Sequence, residues 1–327
     1  MIPHNRIAPP EKVVDEMVWA LESGHLVDGF HTRQLADKLA RLSGKSAVTL
    51  TKSGTRAWEK ILNGFRVGPG DEVVIPAYVC ASLRWALIAR HATPVYADLD
   101  PGTLNVTAET VRKCLTARTR LILVVHLFGM PAPIREIRQL GVKVIEDCSH
   151  GFAHHGMGLD LGTSFLSFYA TKLLGGERGG AILSDHQSRE NRHSVQSELS
   201  CALALANLNA LDAAVAWRTV IAGAYRRHFE GLAADGLVTI PGNTTNRVWY
   251  RFCLTFARFG ALEAIARLKA EGVEAGTPVD AWPPVMTAMP PNAVEAWSRV
   301  VSIPCYPSLT EDEQMKVIRA VHRVAQS

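Results

Sequence analysis

From Ser46 to about Ser184, short apolar runs alternate with longer stretches of helical period. The runs Ala47–Leu50, Glu72–Pro76, Thr93–Ala97, Arg120–His126, Lys143–Glu146, Phe165–Tyr169 and Gly180–Ser184 predict strands. Several are β-branched and apolar at consecutive positions, the pattern of a strand buried on both faces of a mostly parallel sheet. Between them, Thr55–Phe65 and Ser82–Arg90 carry helical spacing. Strands alternating with helices predict a doubly wound α/β unit. From about Arg189 to Gly231 the pattern turns long and helical, with Leu199, Ala202, Leu203, Ala206 and Ala210 on one face. A mixed region follows: a strand-like Trp249–Ala257, a helix near Leu262–Glu271 and a last helix from about Thr310. There Thr310-Glu311-Asp312-Glu313 fits a capping box ahead of Met315, Val317, Ile318 and Val321.

These patterns divide the chain into an arm plus large domain (1–215) and a small α+β domain (216–327). At ~150 residues per domain, 327 residues also point to two. Hydrophobic residues at 47% and charged residues at 20% exclude collagen-like and disordered classes. No apolar run approaches the ~20 residues of a membrane span. The N-terminal Met1–Arg6 lacks the apolar core of a signal peptide. With 35 basic and 31 acidic residues, the chain shows no uninterrupted basic stripe for nucleic acid. The six cysteines form no CxxC pair, which fits reduced thiols in a cytoplasmic protein.

In an open α/β sheet, ligands bind beyond the carboxyl ends of the strands, and three polar clusters fall there. Thr51-Lys52-Ser53-Gly54-Thr55 opens a predicted helix. It reads either as a phosphate cradle of amide hydrogens and hydroxyls or as an ordinary Ser/Thr cap. Glu146-Asp147-Cys148-Ser149-His150, with His154 and His155 beyond, reads as a metal-ligand set including His126. Other readings are a carboxylate holding a protonated ring nitrogen, or loop histidines. Gly151, Gly156 and Gly158 weaken the helix that the metal reading needs. Lys172, after Ser167-Phe168-Tyr169-Ala170-Thr171, is either a nucleophile or base among buried groups or a solvated lysine at a strand end.

Taken in order, the clusters resemble the DegT-type sugar aminotransferase family. Its members are enzymes of pyridoxal 5'-phosphate (PLP) with the aspartate-aminotransferase fold, fold type I. Ser53-Gly54-Thr55 resembles the family's SGT motif, and Gly68–Pro76 its GxGDEVxxP stretch. Ile145–His150 resembles IEDxAQ/H, Ser167–Lys172 resembles SFYPTK, and Ser302–Pro307 resembles the LPxxP end. Gly29, Pro94–Asp100 and Val125–Gly129 also fit.

The resemblance implies a large domain with a mostly parallel seven-stranded sheet between helices, plus a small C-terminal domain. It implies that Lys172 forms the Schiff base with PLP, that Asp147 faces the pyridine nitrogen and that His150 lies near the phenolic oxygen. Ser53, Gly54, Thr55 and Ser167 would contact the phosphate. Cys80 stands where the family stacks an aromatic on the cofactor ring, with Tyr78 two residues earlier. His193 and Val195 replace the Asn and Arg expected before Glu198-Leu199, where a partner subunit usually meets the phosphate. The interval 198 − 172 = 26 residues is also short for a stretch that shapes the substrate pocket. Arg247 and Arg251 are candidates for binding a donor carboxylate bidentately, or are ordinary surface arginines. The implied reaction moves an amino group, from glutamate, to a keto group on a nucleotide-linked deoxysugar, in a homodimer. The alternatives are another PLP reaction or substrate, a PLP-binding regulator or inactive homologue, and a metal enzyme using His126, Asp147, His150 and His154. No metal is expected.

Overall fold

A computed structural model of the chain describes residues 1–10, 13–160, 162–185, 196–242, 244–280 and 289–327. His193 and Val195, and the helical pattern before residue 196, lie outside the described residues.

Seven strands form the main sheet: β1 (Ala47–Thr51), β2 (Glu72–Pro76), β3 (Thr93–Ala97), β4 (Thr119–Val125), β5 (Val144–Asp147), β6 (Thr163–Ser167) and β7 (Gly180–Ser184). Their order is β1-β7-β6-β5-β4-β2-β3. Strands β2 through β6 pair in parallel, while β7 runs antiparallel to both β6 and β1. Alternate residues of single strands reach two different cores. Val73, Ile75, Leu121 and Leu123 face one core, whereas Val74, Ile122 and Val124 face another. Helices cover both faces, which is why these strands read as unbroken apolar runs.

The helices follow from caps and stripes. In α3 (Gly54–Gly64), Ser53 accepts from Arg56 N–H. Ala57, Trp58, Ile61 and Leu62 are buried at helical spacing, and Trp58 stacks on Phe165 of β6. Helix α2 (Phe30–Ser43) has no side-chain cap of its own. Its first amides are met from far along the chain: Glu198 accepts from Gly29, His31 and Thr32 N–H. A Cβ on Gly29 would lie 2.7 Å from that carboxyl group, so the glycine there allows the cap to approach.

Helix α7 (Glu198–Asn209) leads into α8 (Leu211–Ala234). The first turns of α8 pack Leu211 and Val215 on the large-sheet side. Further on, Ile221, Tyr225 and Phe229 join a separate core with β9 (Phe252–Phe256). That second core holds a small antiparallel sheet, β10 (Val301–Ile303), β9 and β8 (Val238–Thr239). It also holds α9 (Ala261–Ala270) and α11 (Glu311–Gln326). Thr310 and Glu313 form the expected capping box of α11. A helix α10 (Pro291–Arg299) packs Ala293, Ala296 and Trp297 back on the large-sheet core. Ile2 bridges Val273, just after α9, and belongs to the second core, so the start of the chain is clipped to that core. Among the described residues, no single helix is long and apolar enough to cross a membrane. All six cysteines are free.

Candidate active site

Strands β1, β5 and β6 place the three clusters at one end of the sheet. Ser53 bridges Gly179 just ahead of β7, which sets the start of α3 beside the carboxyl end of β6. There Gly54 lies so close to Ser167 that a Cβ on it would sit 2.8 Å from the serine Cβ. Any larger residue at 54 would fill the space between the helix N-terminus and the Ser167 hydroxyl. Thr55 follows in the first turn of α3, where amide hydrogens lack intrahelical partners.

At the end of β5, Asp147 Oδ1 accepts from Ser149 N–H (3.0 Å) and from its hydroxyl (2.5 Å). Ser149 Oγ in turn accepts from Ser167 N–H at 2.9 Å. One continuous chain of bonds therefore joins the aspartate to the Gly54 cradle. Asp147 Oδ2 has no hydrogen-bond partner among the described residues, so one carboxylate oxygen is held in place while the other remains available.

His150 meets Lys172 directly, with Nε2 2.6 Å from Nζ. Phe128 N–H donates to His150 Nδ1 at 3.2 Å. Burial pushes this histidine well below its ordinary range, and the charges of Lys172, Arg251 and His126 push the same way. The ring is therefore neutral. Its Nδ1 accepts from Phe128 N–H, and its Nε2 meets the lysine amine, the group that makes an imine.

Two aromatic rings hold His150 in place. Tyr250 stacks on it at 4.3 Å and 14°, and Phe128 lies parallel on it at 6.1 Å and 16°. Phe128 belongs to a tight turn, Leu127–Gly129, and has a left-handed φ of 53°. The buried Asn105 secures that turn by accepting from Leu127 N–H and donating to Met130 O. Lys172 Nζ lies 5.3 Å from the Tyr250 ring centre, and the Arg251 and Arg218 guanidinium carbons lie at 5.4 and 5.8 Å. Burial raises the Tyr250 phenol, but Lys172 and Arg251, a Thr171 hydrogen bond and Arg218 outweigh it and leave the phenol below its ordinary value. Sequence reasoning assigned no role to Tyr250 or Phe128. Their signal is an aromatic residue in each of two segments that flank candidate residues, and spacing alone does not reveal it.

Cys80 joins neither group of contacts. It precedes α4 (Ala81–Ile88), is exposed, and has its thiol 3.2 Å from Ser82 Oγ. Tyr78 is fully buried, with its ring edge against Phe128 and Trp297.

The histidines suggested as metal ligands are dispersed. His126 contacts Glu146 (3.2 Å) and accepts from Ala132 N–H, while Glu146 also accepts from Arg138 at 2.5 Å. Cys148 lies with them, its thiol pushed up by burial and by the Glu146 and Asp147 charges. Both ring nitrogens of His126 are committed to protein partners, so the cluster is a hydrogen-bonded core network. His150 is bound to Lys172, and His154 to Asp212.

The two arginines also separate. Arg247 is buried and donates to the carbonyls of Pro241, Gly242 and Phe128. Arg251 is half-buried and donates through Nη1 to His4 Nε2 at 3.2 Å.

An amine, a half-committed carboxylate, a neutral histidine and a helix N-terminus opened by glycine suit a cofactor that carries a carbonyl, a ring nitrogen and a phosphate. The family model for the DegT/DnrJ/EryC1/StrS aminotransferases matches residues 10–196 and 192–322. The chain belongs to that family and is a PLP-dependent aminotransferase. Among solved structures, it is similar to DesV of S. venezuelae in complex with a ketimine intermediate. Identity is 25%, 97% of this chain and 95% of that one are covered, and the TM-score is 0.87. It shares its fold with NtdA of Bacillus subtilis with bound cofactor PMP (24% identity, 97% and 82% covered, TM-score 0.86). It also shares it with Spr1654 of Streptococcus pneumoniae, provisionally described as a sugar aminotransferase (19%, 99% and 98%, TM-score 0.88).

Proposed function

We propose that this enzyme moves an amino group from an amino acid, glutamate first among donors, to a keto group on a sugar, with nucleotide-linked deoxysugars as the leading acceptors. The observation that carries the reading is the His150–Lys172 contact set beside the Asp147–Ser149–Ser167–Gly54 chain. The provisional description of Spr1654 supports a sugar acceptor. Bound PLP supplies an electron sink for the charge released at the donor carbon.

The chain's residues have distinct tasks toward it. Lys172 Nζ is the imine-forming amine and, once displaced, carries a proton to or from the donor carbon. Asp147 Oδ2 keeps a proton on the pyridine nitrogen. Neutral His150 orients Lys172 and faces the phenolic oxygen. Ser53, Gly54, Thr55 and Ser167 hold the phosphate at the start of α3. Cys80 leaves a small side chain where a ring would stack.

We assign residues 1–215 and 216–327 as the two domains, a division supported by the change of core along α8. A homodimer fits the exposed apolar side chains on α1 (Val13–Glu22). Six free thiols fit a cytoplasmic setting.

The test is spectroscopic. Reconstituted enzyme is expected to show a visible band that glutamate bleaches, and a keto-sugar should restore it. Lys172→Ala should show no such band and no turnover. A visible band unchanged by every amino donor tried would overturn the transaminase reading.

A further inference from the structure

A cavity of about 90 Å³ adjoins Lys172 outside the cofactor site. It is lined by the segment 170–173, by Asn207 of α7 and Arg218 of α8, and by 306–308. Residues 5–8 of the N-terminal arm border it as well. None of Ser53, Gly54, Asp147, His150 and Ser167 lines it, so Lys172 is the residue the two spaces share. The arm is fastened at this point. His4 Nε2 accepts from Arg251 Nη1 and lies 2.9 Å from Ser302 Oγ, while Arg6 pairs with Glu313 at 2.6 Å and lies over the Tyr306 ring.

The lining carries basic groups without acidic ones. Arg6 and Arg218 border the cavity beside the Lys172 amine, and no Asp or Glu does. Glu313 matches Arg6. Arg218 has no such match. It is only 9% exposed, pairs with no carboxylate among the described residues, and spends Nη1 alone, on the carbonyls of Tyr250 and Cys305. Its Nε is buried without a partner, and so are the Tyr306 hydroxyl and Ser308 Oγ. Residues lining one cavity thus hold three orphaned polar atoms, whereas folded proteins leave few such groups unpaired. The volume has room for about three waters at ~30 Å³ each. Water would satisfy the hydroxyls but leave the buried guanidinium charge unmatched, which is costly. Burial already pushes Arg218 down from its ordinary value. A negative charge in the cavity removes that penalty.

We propose that this cavity is a binding site for one small monovalent anion, of the size of chloride or bicarbonate, held by Arg218 and by the hydroxyls of Tyr306 and Ser308 under the N-terminal arm. The ligand is an ion and not a substrate, so the site does not depend on the reaction class. It does bear on the lysine. The Arg218 guanidinium carbon lies 5.8 Å from the centre of the Tyr250 ring, which stacks on His150 and lies 5.3 Å from Lys172 Nζ. An occupied cavity offsets a positive charge beside that group.

The test uses the holoenzyme exchanged into sodium gluconate, whose anion is too large for the cavity. It is titrated with sodium chloride at constant ionic strength and pH, and with sodium bicarbonate in a parallel series. The thermal midpoint is expected to rise and saturate, as for a ligand that binds only the folded state. The series that saturates at the lower concentration identifies the anion. Arg218→Met keeps a long side chain without the charge and should abolish the saturable rise. Because Arg218 also ties two backbone carbonyls, Tyr306→Phe and Ser308→Ala test the site independently of it. Each removes a hydroxyl with no partner among the described residues, so each should fold as wild type yet need roughly ten-fold more anion, the effect of one hydrogen bond to a charged group. A midpoint that stays flat in both series would overturn the proposal. So would a rise that is linear in concentration, or one that matches wild type in both hydroxyl variants, since either is a general salt effect.

Discussion

His4 has a consequence that can be measured away from catalysis. Burial, and then the charge of Arg251, lowers it from 6.5 to about 4. The unfolded chain therefore binds more protons than the folded one between those values. The stability His4 contributes is complete above pH 6.5 and is lost as pH falls toward 4. Between pH 7 and pH 5 its share of the loss is roughly 2 kcal/mol. Urea unfolding at the two pH values should show wild type losing about that much more than His4→Gln. Because His150 shifts in the same direction in both proteins, the difference isolates His4. Equal losses would mean that His4 is solvated or already protonated.

At the scale of elements, the turn Leu127–Gly129 is the joint that brings the segment 247–251 to the sheet. Gly129 has φ of 82°, and a Cβ there would lie 2.1 Å from Val248 O. Val248 N–H donates to Gly129 O, and Arg247 donates to Phe128 O. The segment that carries Tyr250 and Arg251 is thus laid against the turn by backbone contact. Gly129→Ala should cost more than about 2 kcal/mol, combining left-handed strain with a clash against backbone. It should also weaken cofactor retention by shifting Tyr250 off His150. Chemical denaturation with gel-filtered cofactor content checks both, and an unchanged midpoint would refute the joint.

Three strands, Glu72–Pro76, Thr93–Ala97 and Gly180–Ser184, were legible residue for residue: the first and third because their near-complete burial writes itself as apolar runs, and the half-buried edge strand Thr93–Ala97 from its run between turn signals. The capping box of α11 was legible too. The antiparallel direction of β7 was not, since periodicity carries no direction. Strands β8 and β10, of two and three residues, are shorter than any period. Helix α10 buries alanines, which give little apolar contrast. In the site, motif order pointed to Lys172, Asp147 and His150, which the structure brings to one end of the sheet. The stacking of Tyr250 on His150 links residues a hundred positions apart, and the separate fates of Arg247 and Arg251 depend on which backbone carbonyls lie nearby. Both are tertiary facts that sequence spacing does not encode.

At the scale of the whole molecule, helix α1 presents an apolar face among the described residues. Helix α1 buries Val13 and Ala20 but leaves Val14, Val18 and Leu21 exposed at 66%, 46% and 54%. Their spacing, i, i+4 and i+7, makes a single stripe on the helix. Beside it Trp19 packs edge-on against Phe30, and both are also about half exposed. Fully burying an apolar side chain of this size yields about 1.5–3 kcal/mol, so the stripe is costly in a lone subunit and useful between two. Helix α1 contacts α7, whose Glu198 caps α2, so a second copy on this face would brace the helices behind the cofactor side of the sheet. Wild type is expected to sediment as a dimer at micromolar concentration. Val18→Glu places a charge in the centre of the stripe, where burial without a partner is strongly unfavourable. It should shift the protein toward monomer while circular dichroism stays unchanged, and activity should fall with the dimer fraction. A wild-type monomer, or a Val18→Glu protein that remains dimeric, would show that α1 faces solvent and that the subunit contact, if present, lies elsewhere.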